Sequence, residues 1–235
     1  MSISTDALPV ADALAIVTRI RALLARRLRS EIHTPALTEE LSCAFALLDA
    51  VDFSRCDEER LRASHHPIAG ILQKALVAPS TVHDAGTESP ETEGIADLLA
   101  LLYPCLSRFP WRYSYDARPD MPDIGARMAW AELVGPVAPF KSHSVCLGIT
   151  AMDAGLFYPI HAHPAVETYV VLFGTAEWTL ENETRARPPG ALILHPSDAA
   201  HAMRAGADSP LLAVYTWRGE VETLSRYLES SSLDP

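Results

Sequence analysis

The sequence has no apolar run long enough to cross a membrane, no Cys-x-x-Cys pair and no surplus of positive charge, and each lack removes a class of function. Among its 235 residues the apolar stretches break well short of the roughly 20 that a membrane helix needs. At the N-terminus Asp6, Asp12, Arg19 and Arg21 interrupt them, so neither a signal peptide nor a transmembrane helix fits. The expectations are no membrane partner and a cytoplasmic location. Cys43, Cys56, Cys105 and Cys146 stand apart, unlike a zinc knuckle or a dithiol redox site, and are expected to be reduced and structural. Nineteen basic residues against thirty acidic ones give a net charge of -11, which opposes binding to phosphate backbones or anionic lipid. No nucleic-acid partner is expected, and the local cluster Arg26-Arg27-Leu28-Arg29 reads as the solvated face of a helix.

What is present is a globular chain in two styles. From Val10 to about Ser30, Leu14, Val17, Ile20, Leu24 and Leu28 recur at steps of three and four, the period of a helix with one buried stripe. Thr38 is read as the cap of a second helix with Leu41, Phe45 and Leu48 inward, and Asp57 as the cap of a third running toward Ala78, with a break near Pro67. Residues 79–94 read as a surface loop, after which Ile95, Leu98, Leu99, Leu102 and Leu106 restore the helical period. Beyond Trp111, prolines punctuate short segments and the apolar period falls toward two. Strands are expected near 127–134, 144–152, 156–163, 166–173, 175–181, 191–195, 201–204 and 211–217, a number and spacing that suit a closed antiparallel barrel or jelly roll. The expected division is a helical region over 1–115 that packs on a barrel over 116–235, with a short closing helix over 221–228.

The chemistry concentrates in Gly155-Leu-Phe-Tyr158-Pro-Ile-His161-Ala-His163-Pro-Ala-Val-Glu167-Thr-Tyr169, with Gly174 beyond. His161, His163, Glu167 and Tyr169 are all odd-numbered, so on one continuous strand they would share a face. Buried together, two imidazoles and a carboxylate need a partner of opposite charge, and a divalent cation supplies one. Nitrogen donors with one carboxylate suit zinc, iron(II), manganese, nickel or cobalt better than calcium or magnesium, with Zn2+ or Fe2+ foremost.

These spacings match the first cupin motif throughout: glycine, five residues, His-x-His, three residues, glutamate, six residues, glycine. The second cupin motif is altered. Gly190, Pro196 and His201 keep their places, whereas Asp198 and Ala205 stand where that motif has glycine and asparagine. The resemblance implies His161, His163, Glu167 and His201 as ligands of one cation in a jelly-roll barrel preceded by helices, a mainly β chain with added α. His195, beside Pro196, is the competing donor but falls outside the motif's histidine position.

Within the cupins, Tyr158 through Tyr169, Gly174-x-x-x-Trp178, Pro188 through Met203 and Pro210 through Gly219 resemble the dimethylsulfoniopropionate lyases, which cleave that osmolyte to dimethyl sulfide and acrylate. The resemblance implies a small-molecule substrate, Tyr169 as the base and Tyr158 as the alternative base or a partner of the substrate carboxylate. Trp178, Tyr215 and Trp217 are candidates to hold a sulfonium over their ring faces, with core packing as the plain alternative. A homodimer is compatible with the sequence. Two other readings of the same donor set stay open: an iron(II) oxygenase or lyase acting on another small acid, and a non-catalytic metal-bound binding module.

Overall fold

The computed structural model describes residues 7–29, 34–76, 92–115 and 118–228. Helix α1 (Val10–Arg29) buries Ala13, Ile16, Val17, Ile20, Leu23 and Leu24 along one line. That line continues to Arg27, which is buried rather than on the solvated face expected for it, because it follows Leu23 by four residues. Helix α2 (Pro35–Asp49) begins earlier than expected. Thr34 is its cap, with Oγ1 accepting the Leu37 N–H, and Pro35 fills the first turn where its missing donor costs nothing. The third expected helix is divided. Asp57 caps a 3-10 turn, Glu58–Leu61, and α3 (Pro67–Ala75) starts afresh at the proline, with His66 as its cap. Helix α4 (Ile95–Leu102) has the expected buried stripe, and α5 (Ile124–Arg127) is a single turn before the first strand. Most of the expected 79–94 loop, and the tail from 229, lie outside the described residues.

Eleven strands follow among the described residues. One sheet runs β2 (Phe140–Lys141), β1 (Met128–Gly135), β3 (Val145–Met152), β10 (Leu211–Arg218), β5 (Val166–Phe173), β8 (Leu192–His195). The other runs β11 (Arg226–Tyr227), β4 (Phe157–Ala162), β9 (His201–Ala205), β6 (Ala176–Leu180), β7 (Glu183–Arg187). All pairs but β1 with β2 are antiparallel, and the arrangement is the jelly roll of a mainly β cupin fold with a helical N-terminal part. The sequence reading does not contain β2, β7 or β11. Residues 221–228, expected as a closing helix, form turns and β11 instead. The backbone of Arg226 and Tyr227 pairs with Ala162 and His161 on the edge of β4, while Arg226 binds Asp198 and the Tyr227 hydroxyl meets that of Tyr113.

Both faces of the six-stranded sheet are buried, which explains why β3 is buried throughout and, Thr150 apart, has no polar side chain instead of alternating. Ala129, Ala131, Leu147, Ile149, Val170, Leu172, Leu212 and Val214 point outward into one core shared with the helices. Met128, Cys146, Met152, Tyr169, Val171, Ala213 and Tyr215 point inward and share a second core with Tyr158, Trp178 and Met203 of the facing sheet. The helical part is fastened to the barrel by Arg218, which forks onto both carboxylate oxygens of Glu40 in α2, its Nε lying 2.8 and 3.0 Å from them. Glu40 is buried, whereas Arg218 is one third exposed and keeps part of its solvation when the carboxylate is lost. Glu40→Ala is expected to lower stability by about 1 kcal/mol, read from urea unfolding.

Candidate metal centre and active site

The cluster does not lie on one strand. His161 is near the end of β4, the chain turns through His163, and Glu167 and Tyr169 belong to β5 in the opposite sheet. The shared face expected from residue parity is therefore two facing surfaces. His161 pairs across the strands with His201, whereas Glu167 has His195 beside it on β8 and Trp217 beside it on β10. Asp198, where the motif's glycine would stand, adopts the left-handed conformation at φ 59°, and its backbone N–H reaches the His163 carbonyl at 2.9 Å. Gly174 has φ 73°, and a Cβ there would lie 2.2 Å from the Pro210 carbonyl oxygen, so the turn from β5 into β6 admits no side chain.

Three imidazoles are held alike. Nδ1 of His161 faces the Pro159 carbonyl at 2.7 Å, that of His163 the Ala165 carbonyl at 2.9 Å, and that of His201 the Ala199 carbonyl at 2.8 Å. Each carbonyl accepts the Nδ1–H, which fixes the tautomer and leaves the Nε2 lone pair available. His201 Nε2 is buried with no partner at all, 3.7 Å from Glu167 Oε2, and His163 Nε2 is 3.0 Å from the same oxygen. The carboxylate of Glu167 also accepts N–H groups from Trp217 at 2.6 Å and His195 at 3.0 Å. An orphaned buried nitrogen beside an anion fits a cation with nitrogen and oxygen ligands. Ligand atoms of His163, Glu167, His195 and His201 lie within 4.8 Å of one another, and the His161 ring is 4.0 Å from that of His201.

A cavity of about 260 Å³ opens beside this cluster. His161, His163, Glu167, Tyr169 and Tyr158 line it, with Tyr215, Trp217, Trp130 and Tyr115 as further walls. Gly148 makes room for the Tyr215 ring, since a Cβ there would come within 2.8 Å of it. Trp178 does not line the cavity. Its ring packs behind Tyr169 at 4.9 Å and its N–H donates to His195. Trp217 lines the cavity while stacking on His163 at 4.2 Å. Sequence reasoning missed Tyr115, Trp130 and the Arg112–Glu132 pair, which also reach the cavity. The alternation Trp111-Arg-Tyr113-Ser-Tyr115, which resembles the strands that follow, could have drawn attention to Arg112 and Tyr115.

Electrostatics follow burial. Burial alone would raise the Glu167 carboxyl, but His163 and His195 outweigh it and hold it well below the usual range. Burial pushes Tyr169 well above a normal phenol, and the Glu167 charge adds to this. Tyr158 is raised in the same way, by burial and then by the neighbouring Tyr115.

A model of dimethylsulfoniopropionate lyases matches residues 43–213. The chain belongs to that family. It is 40% identical over 114 residues to the dimethylsulfoniopropionate lyase DddQ of Ruegeria pomeroyi, an alignment covering 48% of this chain and 56% of that protein. It is 30% identical over 156 residues to a putative dimethylsulfoniopropionate lyase, DddL, of Cereibacter sphaeroides, covering 64% and 63%. The chain thus matches between half and two thirds of the length of these curated relatives. The crystal structure of DddQ from Ruegeria pomeroyi superposes with a TM-score of 0.67 at 28% identity, over 92% of this chain and 96% of that one. The membership accounts for the motif spacing, which lies within the matched residues. No helix among the described residues is long and apolar enough to cross a membrane.

Burial drives the His161 imidazole down to about 3, and lowers His201 and His195 as well. Groups depressed in the folded state contribute stability that is present above their unfolded value, near 6.5, and is lost as pH falls below it. His163, which Glu167 raises against the effect of burial, is protonated in both states below about pH 6 and offsets nothing there. Metal-free protein is expected to lose about 1.4 kcal/mol per pH unit through His161 between about pH 6 and pH 4, with His201 and His195 acting in the same direction. Urea unfolding at a series of pH values measures this, and a flat profile contradicts neutral buried rings.

Proposed function

We propose that the protein is a metal-dependent lyase that cleaves dimethylsulfoniopropionate to dimethyl sulfide and acrylate. The observation that carries this is the placement of Tyr169: it follows Glu167 by two residues on the inward face of β5 and lines the cavity that the imidazoles of His161 and His163 also line. His161, His163 and His201 through Nε2, with Glu167, would hold one divalent cation, Zn2+ or Fe2+ by donor chemistry. When bound, that cation supplies positive charge to fix the substrate carboxylate and to favour the ionised form of a neighbouring phenol.

The chain's own residues do the rest. Tyr169 takes the proton from the carbon next to the carboxylate, the released electron pair forms the double bond of acrylate, and the carbon–sulfur bond breaks with its pair leaving on neutral dimethyl sulfide. Tyr158, stacked on His161 at 3.9 Å, is placed to orient the substrate carboxylate. Tyr215 and Trp217, joined by Trp130 and Tyr115, offer ring faces to a poorly hydrated sulfonium. Trp178 has no such face toward the cavity, and its role here passes to Trp130.

Headspace dimethyl sulfide from metal-loaded protein given dimethylsulfoniopropionate tests the reading. Tyr169→Phe is expected to keep its metal and to lose roughly 100- to 10,000-fold in turnover, whereas His163→Ala is expected to lose the metal itself. Parent-rate turnover by Tyr169→Phe removes that tyrosine as the base. Absence of dimethyl sulfide from metal-replete parent protein rejects the substrate.

A further inference from the structure

His195 differs from the other imidazoles of the centre in having both nitrogens engaged by side chains. Nε2 lies 2.8 Å from the Trp178 indole nitrogen, and Nδ1 lies 3.0 Å from Glu167 Oε2. All three residues are buried. Proximity alone would group His195 with His163, Glu167 and His201 as four ligands and leave His161 out.

The placement of protons decides otherwise. An indole nitrogen can only donate, so His195 Nε2 must present its lone pair to Trp178, and the ring proton must sit on Nδ1. That Nδ1–H then donates to Glu167. For His195 to ligate a cation through Nδ1, the proton would have to move to Nε2, setting two buried N–H donors against each other at 2.8 Å. His161 has the opposite arrangement, with Nδ1 given to a backbone carbonyl and the ring lining the cavity.

We infer that His195 is a positioning residue and not a ligand: Trp178 locks its tautomer, and its Nδ1–H, with the Trp217 N–H on the other oxygen, fixes the orientation of the Glu167 carboxylate. The inference rests on the metal-centre reading of the proposed function. The strand register supports it, because His195 and Trp217 are the direct neighbours of Glu167 on the two strands that flank β5. A buried carboxylate gripped on both oxygens stays anionic and cannot swing, which is what a ligand facing a cation requires.

The test compares Zn2+ affinity by chelator competition in the parent, His195→Ala, His195→Asn, Trp178→Phe and His161→Ala, with the thermal midpoint of each metal-free protein measured alongside. Asparagine places an N–H near the position of Nδ1 but has no imidazole nitrogen to give a metal. His195→Ala is expected to bind Zn2+ roughly 10- to 100-fold more weakly, His195→Asn to recover most of that loss, and Trp178→Phe to weaken binding while keeping one Zn2+ per chain. His161→Ala is expected to fall furthest. Cobalt-loaded His195→Asn is expected to keep the visible absorption of the cobalt-loaded parent, which exchange of a ligand would shift. If His195→Ala fails to fold, Trp178→Phe carries the same test without touching the imidazole. Equal loss in the alanine and asparagine variants with a shifted cobalt spectrum makes His195 a ligand and overturns the inference, as does unchanged affinity in all His195 and Trp178 variants. A parent that takes up no Zn2+ under any loading condition removes the metal-centre reading first, and the inference with it.

Discussion

The constraint on which the structure turns is the burial of one carboxylate. Glu167 is 2% exposed, at the meeting of two sheets, where an uncompensated charge would be expensive. The fold answers with neighbours that the sheet itself delivers: Trp217 and His195 flank Glu167 in register, each with an N–H aimed at one oxygen. From the facing sheet come His161 and His201, paired with each other, while His163 reaches in from the turn between β4 and β5. Neither sheet alone has a complete donor set. The cluster exists only when the two are packed face to face, so under the proposed function metal affinity and folding would be coupled.

That packing explains the helices. The sheet bearing Glu167 is apolar on its outer face as well, and without a cover that face would be a wide exposed hydrophobic patch. Helices α1, α2, α3 and α4 supply the cover and merge with it in one core. The fork of Arg218 on Glu40 lies one residue from Trp217, so the clamp between helix and barrel and the grip on Glu167 share a strand end.

Much of the centre was legible in the sequence because the motif is carried by spacing. His161, His163, Glu167 and Gly174 sit in the intervals that a strand, a tight turn and a second strand impose, and Asp198 could replace a glycine because aspartate tolerates the left-handed region. What the sequence hid depends on which elements face one another. Residue parity failed between His161 and Glu167, since a turn rather than a strand joins them. Trp178 looked equivalent to Trp217 as an aromatic near the site, yet β6 presents it behind Tyr169 while β10 presents Trp217 to the cavity. The tail over 221–228 has a weak helical period, but an open strand edge on β4 was a stronger partner for its backbone. Arg27 was misread because a stripe one residue to the side of the expected one fits α1 as well.

The electrostatics of Tyr169 add one more step. Burial and the Glu167 charge both raise its phenol, so the same surroundings that exclude water also keep it protonated. A base held in that state does not act on a weak carbon acid by chance encounter. Under the proposed reaction, the charge that would lower the phenol is the one that would neutralise Glu167, because the two side chains stand on the same face of β5 two residues apart. The carboxylate would then be both ligand and brake: it would help to hold the cation, and without the cation its charge would hold the proton on Tyr169. A tyrosine placed farther along the strand would escape the brake, but would also lose the activation.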